Sequence, residues 1–126
     1  MRTLRLFLVP ALVSLAACGG TTSPSGGGAA PGQVSVGNNF FRSTINGSED
    51  PAVDTVAVGD TVTWVWSAAG SHSIQSTGLT PEVFRNSVVM SAAGNRYSVA
   101  FRHPGSYSYD CGVHGPVMSG RIVVLP

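Results

Sequence analysis

The stretch Tyr107-Ser108-Tyr109-Asp110-Cys111-Gly112-Val113-His114-Gly115-Pro116-Val117-Met118-Ser119-Gly120 constrains this chain more than any other. Side chains alternate along a strand, so Tyr107, Tyr109 and Cys111 share one face, which should be core, and Asp110 points away from it. The strand ends on a thiol, and an imidazole and a thioether follow it with the spacing Cys-x2-His-x3-Met. Each is a soft or borderline ligand, and together they suit copper better than any other biological metal. His72 lies 39 residues upstream of Cys111. The rest of the chain reads as a scaffold that brings His72 to this loop.

The remaining pattern is that of strands. Gln33-Val34-Ser35-Val36 alternates, and Asn38 to Phe41 continues it or bends away. Thr44 to Pro51 is a polar, turn-rich loop. Val53 to Val58 forms the next strand, Gly59-Asp60 a tight turn, and Thr61 to Trp66 a strand with Val62, Trp64 and Trp66 on one face. His72 to Ser76 predicts a short strand opening on the histidine. Thr77 to Gly94 is irregular, with room for a helical turn near Pro81 to Phe84. Arg96 to Phe101 and Arg121 to Leu125 complete the set. Hydrophobic residues make up 43% of the chain and charged residues only 10%, with 16 glycines, a profile of β-rich secreted domains. Short strands with frequent turns predict an all-β, antiparallel-rich Greek-key β-sandwich of about seven or eight strands.

The N-terminus has a different logic. Arg2 and Arg5 precede the apolar run Leu6 to Val13, which is too short to anchor a bilayer and ends at Leu15-Ala16-Ala17-Cys18. This resembles the bacterial lipobox, so residues 1–17 are expected to be a lipoprotein signal peptide and Cys18 the lipidated residue. Residues 18–32 are rich in Gly, Ser, Thr and Pro and cannot bury a core, so they read as a flexible tether spanning about 20 Å. Residues 33–126 are left as a single domain. The chain would then be an extracytoplasmic, membrane-anchored lipoprotein, held at the periplasmic face or the cell surface through lipid on Cys18.

That assignment leaves Cys111 without a disulfide partner, since the chain has two cysteines. A lone thiol in an oxidising compartment is a liability unless buried or ligated. A buried structural Cys is the plainer explanation; His114 and Met118 beside it favour ligation. His103, before Pro104, reads as a solvated turn residue.

The ordered residues also carry a family resemblance. Val58-Gly59-Asp60-Thr61-Val62-Thr63-Trp64, then His72, then Pro104-Gly105-Ser106-Tyr107-Ser108-Tyr109 leading to Cys111 and His114, then Met118-Ser119-Gly120-Arg121-Ile122-Val123-Val124, resemble the cupredoxins of plastocyanin/pseudoazurin type. The similarity covers roughly residues 33 to 126. It implies one type-1 copper ion, held equatorially by His72, Cys111 and His114 and axially by Met118, and one-electron transfer as the function. Asp110 stands where relatives commonly place an exposed aromatic, so the electron port is expected at the solvent edge of His114, with a redox partner protein docking near His114, Gly115, Pro116 and Val117; the chain is expected to be a monomer.

Other classes fit less well. Zinc would accept Cys and two His, but thioether serves it poorly. No Cys-x-x-Cys-His motif supports haem attachment. No Ser/His/Asp or paired-carboxylate constellation is present, so no enzyme is expected. Without the signal segment the net charge is about −1, and no basic cluster suggests nucleic acid. Copper delivery or sequestration, and a metal-free interaction domain, are the alternatives to an electron carrier.

Overall fold

Each alternating segment becomes a strand with one buried face. The computed structural model describes residues 32–126. The signal peptide, Cys18 and all but the last residue of the tether lie outside the described residues. Eight strands follow in order: β1 (Gln33–Gly37), β2 (Phe40–Ser43), β3 (Ala52–Ala57), β4 (Thr61–Trp66), β5 (Gln75–Ser76), β6 (Arg96–Ala100), β7 (Gly105–Cys111) and β8 (Gly115–Leu125).

They form two four-stranded sheets, ordered β2-β1-β4-β6 and β3-β8-β7-β5. Four pairings are antiparallel, while β1–β4 and β3–β8 are parallel. The all-β sandwich expected from the alternation is therefore present, with eight strands in two mixed sheets.

The two inner faces meet in an aromatic core. Trp64, from one sheet, meets Tyr109, from the other, edge-on at 5.2 Å between centroids, and Phe41 contacts Tyr109 at 5.1 Å. Both tryptophans are buried, as their alternation on β4 requires. Such edge-to-face pairs add about 0.5–1.5 kcal/mol each beyond the area they bury. Gly120 stands opposite Tyr109 across the β7–β8 ladder. A Cβ there would lie 2.2 Å from the tyrosine ring, so only glycine lets the ring fold over its neighbour. Burial pushes the Tyr109 hydroxyl far above its ordinary pKa, which keeps it neutral in the core.

Strand directions give the sandwich two distinct poles. At one, Gly32 accepts a bond from the Thr63 N–H, Val58 N–H donates to Leu125 and Gly59 N–H donates to Phe101. At the other lie the end of β4 at Trp66, the end of β7 at Cys111 and the start of β8 at Gly115.

The structure resolves four local expectations. Asn38-Asn39 turns the chain, so Phe40 and Phe41 open a separate hairpin strand instead of extending the first. His72 is not on a regular strand: it forms an isolated bridge with Met90, and the strand that follows is only Gln75–Ser76. Pro81 to Phe84 makes a turn without a helix. The last strand begins at Gly115, six residues earlier than the apolar run Arg121–Leu125 suggests, because pairing with β7 extends it.

Candidate metal centre

Three donors converge at the second pole. Cys111 ends β7 and is fully buried. Its Sγ lies 3.8 Å from Nδ1 of His72 and 3.4 Å from Nδ1 of His114. All three donor atoms lie within 4.8 Å of one another.

Each side chain is positioned by backbone. His72 N–H donates to the Met90 carbonyl at 3.0 Å, and Met90 N–H returns a bond to the His72 carbonyl at 2.9 Å. Trp66 Nε1–H also donates to the Met90 carbonyl, at 3.1 Å, so the core tryptophan braces the segment that holds the histidine. Beside it, buried Ser73 accepts the Gly112 N–H on Oγ at 3.2 Å, tying the His72 segment to the Cys111 loop.

The β7–β8 register explains the rest. Asp110 pairs with Ser119, but Cys111 pairs with Gly115. The ladder thus skips Pro116, Val117 and Met118, of which Pro116 and Val117 are exposed at the end of the sandwich. Gly115 adopts φ 72°, a left-handed conformation that glycine takes without strain. The three-residue turn before it places His114 next to the thiol, and Met118 re-enters the core fully buried, in the same cluster as Cys111. Asp50 Oδ1 accepts the Ser119 N–H at 3.2 Å and the Phe41 N–H at 3.1 Å, fixing the point where the bulge rejoins the sheet.

The two imidazoles differ in environment. His72 is 1% exposed, whereas His114 is exposed. Burial lowers the His72 pKa below its ordinary 6.5, and the nearby His114 lowers it further. A neutral imidazole is the form that ligates metal, so the fold already favours the required state. Nε2 of His72 is buried without a partner among the described residues and faces Gly70. Asp110, beside Cys111, is half-buried rather than freely solvated, and its pKa is raised by that burial.

The two sulfur–nitrogen edges fit a single metal ion. For an ion about 2.3 Å from sulfur and about 2.0 Å from nitrogen, a trigonal angle separates the donors by about 3.7 Å, and a tetrahedral angle by about 3.5 Å. The observed 3.8 and 3.4 Å match those edges. One thiolate and two imidazoles form the trigonal set of a copper electron-transfer site.

His72, Cys111 and His114 are thus brought together as the spacing suggested, and Met118 is placed in the adjoining core. His103 is exposed and away from the cluster; its carbonyl accepts the Tyr107 hydroxyl at 3.0 Å. Gly70, Ser73, Met90 and Asp50 were not found from sequence. Their roles come from contacts distant in the chain.

Sandwich and donor set together define a cupredoxin, a mononuclear copper protein on a two-sheet β scaffold. Residues 50–125 match the model of the copper-binding proteins of the plastocyanin/azurin family. The chain belongs to that family. It is 34% identical over 82 residues to plastocyanin of Scenedesmus fuscus, covering 60% of this chain and 84% of that protein. It is 37% identical over 70 residues to amicyanin of Paracoccus denitrificans, covering 55% of this chain and 52% of that one. Among solved structures, the purple cupredoxin of Nitrosopumilus maritimus matches with a TM-score of 0.58 and 30% identity, over 74% of this chain and 98% of that one.

Proposed function

We propose that this domain is a one-electron carrier tethered to a membrane outside the cytoplasm. In this reading His72, Cys111 and His114 hold one copper ion and Met118 is a weak fourth ligand. The observation that carries it is the pair of sulfur–nitrogen distances, 3.8 and 3.4 Å, set by a scaffold that fixes each side chain through backbone bonds. Copper held by two imidazoles, a thiolate and a thioether serves both oxidation states, so little has to move when an electron passes.

The chain's own residues supply the rest. The ring bracing of Met90 by Trp66 keeps His72 from following the metal. The buried Cys111 sulfur is shielded from oxidants. His114 is the electron port, because it is the donor open to solvent. Its rim is uncharged: Val113 is 47% and Val117 76% exposed, and Pro116 is also exposed. A partner docks on this rim, around His114, Gly115, Pro116 and Val117, and a charge placed there by Val117→Asp should slow electron exchange.

The test is optical. Copper(II) added to the purified domain should produce an intense visible thiolate-to-copper band that bleaches on reduction. Cys111→Ser should abolish it. A colourless domain, or colour surviving that substitution, refutes the reading. Copper that leaves readily for an apo-acceptor would point to delivery instead.

A further inference from the structure

We propose that the copper-holding pole faces the aqueous phase, away from the membrane, so that electrons pass to or from a protein domain standing in that phase. This rests on the reading of Cys18 as the lipid anchor. The argument is topological. The described chain begins at Gly32, whose carbonyl accepts the Thr63 N–H at 2.6 Å. A Cβ on Gly32 would lie 2.7 Å from the Thr61 carbonyl oxygen, so this residue is pressed against the start of β4. The same pole holds the Val58–Leu125 and Gly59–Phe101 bonds. The chain leading back to Cys18 therefore leaves the sandwich at the pole opposite Cys111 and His114.

Distances follow from strand geometry. β7 runs from the anchor pole to the metal pole in seven residues, which at about 3.3 Å each puts the poles roughly 20 Å apart. A flexible Gly/Ser-rich segment of the length expected for the tether would add about 20 Å on average. The port thus stands roughly 40 Å above the anchoring surface when the domain is upright. With the domain upright, strand direction puts the exposed apolar rim of Val113, Pro116 and Val117, the part of the metal pole that would otherwise settle on a bilayer, on the far side. In that orientation a lipid-dissolved reductant is separated from His114 by the whole sandwich.

Fully extended, the segment from Gly19 to Pro31 reaches about 45 Å, enough to let the domain turn over, so shortening it makes the test decisive. The full lipidated, copper-loaded chain is placed on phosphatidylethanolamine–phosphatidylglycerol vesicles. Relaxation of the Cu(II) electron-spin signal is measured with nickel chelated to lipid headgroups or with a nickel complex in solution. A variant lacking residues 20–31 is measured beside it. Soluble nickel should shorten the relaxation in both chains, and lipid-held nickel should leave the shortened chain unchanged. A copper-independent readout uses fluorophores at Pro126→Cys and Val117→Cys with headgroup quenchers. The label at 126 should be quenched and the label at 117 spared. Copper relaxed by lipid-held nickel in the shortened chain, or the reverse quenching order, overturns the orientation alone. A chain that fails to float with vesicles, or floats equally well as Cys18→Ala, overturns the anchor reading and the orientation with it.

Discussion

Gly70 should be a determinant of copper affinity, although it carries no side chain. It sits against the face of His72 that points away from the thiol. A Cβ built there meets Nε2 of His72 at 2.8 Å, whereas ordinary contact begins at 3.4 Å. Gly70→Ala must therefore push the imidazole by about 0.6 Å or move the loop. Neither is free. His72 is held by two backbone bonds to Met90, and Gly70 N–H donates to the Ser91 carbonyl at 3.0 Å. Forcing an extra methyl into a packed site costs about 1–3 kcal/mol. In the metal-free domain the ring can rotate to escape part of that cost. With Nδ1 fixed on copper it cannot. The penalty therefore falls mainly on the loaded state and should weaken copper binding by about 10-fold to 100-fold. Competition with a chromophoric copper(I) chelator measures this, and the thiolate-to-copper band should shift as the His72 bond lengthens. Ser71→Ala, at the exposed neighbour, is the control. If Gly70→Ala kept wild-type affinity and an unshifted band, the contact between Gly70 and His72 would not constrain the site.

Two further outcomes test other parts of the structure. Met118→Leu preserves core volume, so the metal-free domain should lose less than about 1.5 kcal/mol in urea denaturation; the reduction potential and visible spectrum should nonetheless change, because the thioether is gone, and unaltered values would remove Met118 from the ligand set. Asp54 is buried on β3, accepts the Ser43 hydroxyl at 2.7 Å, and has its pKa raised above 3.8 by burial, with the Ser43 bond opposing. The folded domain thus holds the Asp54 proton more tightly than the unfolded chain does. Its stabilising effect is complete below about pH 3.8 and is lost as pH rises through the folded value. The urea midpoint of Asp54→Asn should therefore gain on wild type from acid to neutral pH, and a gap independent of pH would refute the assignment.

Much of the fold was legible because period-two alternation is a local property. Val62, Trp64 and Trp66 announced β4, and Tyr107, Tyr109 and Cys111 announced both β7 and its buried face. Where pairing partners rather than local pattern decide structure, the sequence was silent. His72 is held by a single bridge to Met90, and no local signal marks it. β8 starts at Gly115 because β7 pairs with it, not because residues 115–120 are apolar.

By itself, the sequence determined the ligand types, their order and the all-β class, since these depend on residue chemistry and on alternation along one strand. Tertiary structure decided what the ligands do together. The jump in register at Asp110/Cys111 sets His114 beside the thiol and folds Met118 inward. The Met90 bridge and the missing Cβ at Gly70 set the angle of His72. Strand direction alone puts the metal at the pole opposite Gly32. Each depends on contacts between residues far apart in the chain, whose geometry exists only once both sheets have closed over Trp64 and Tyr109.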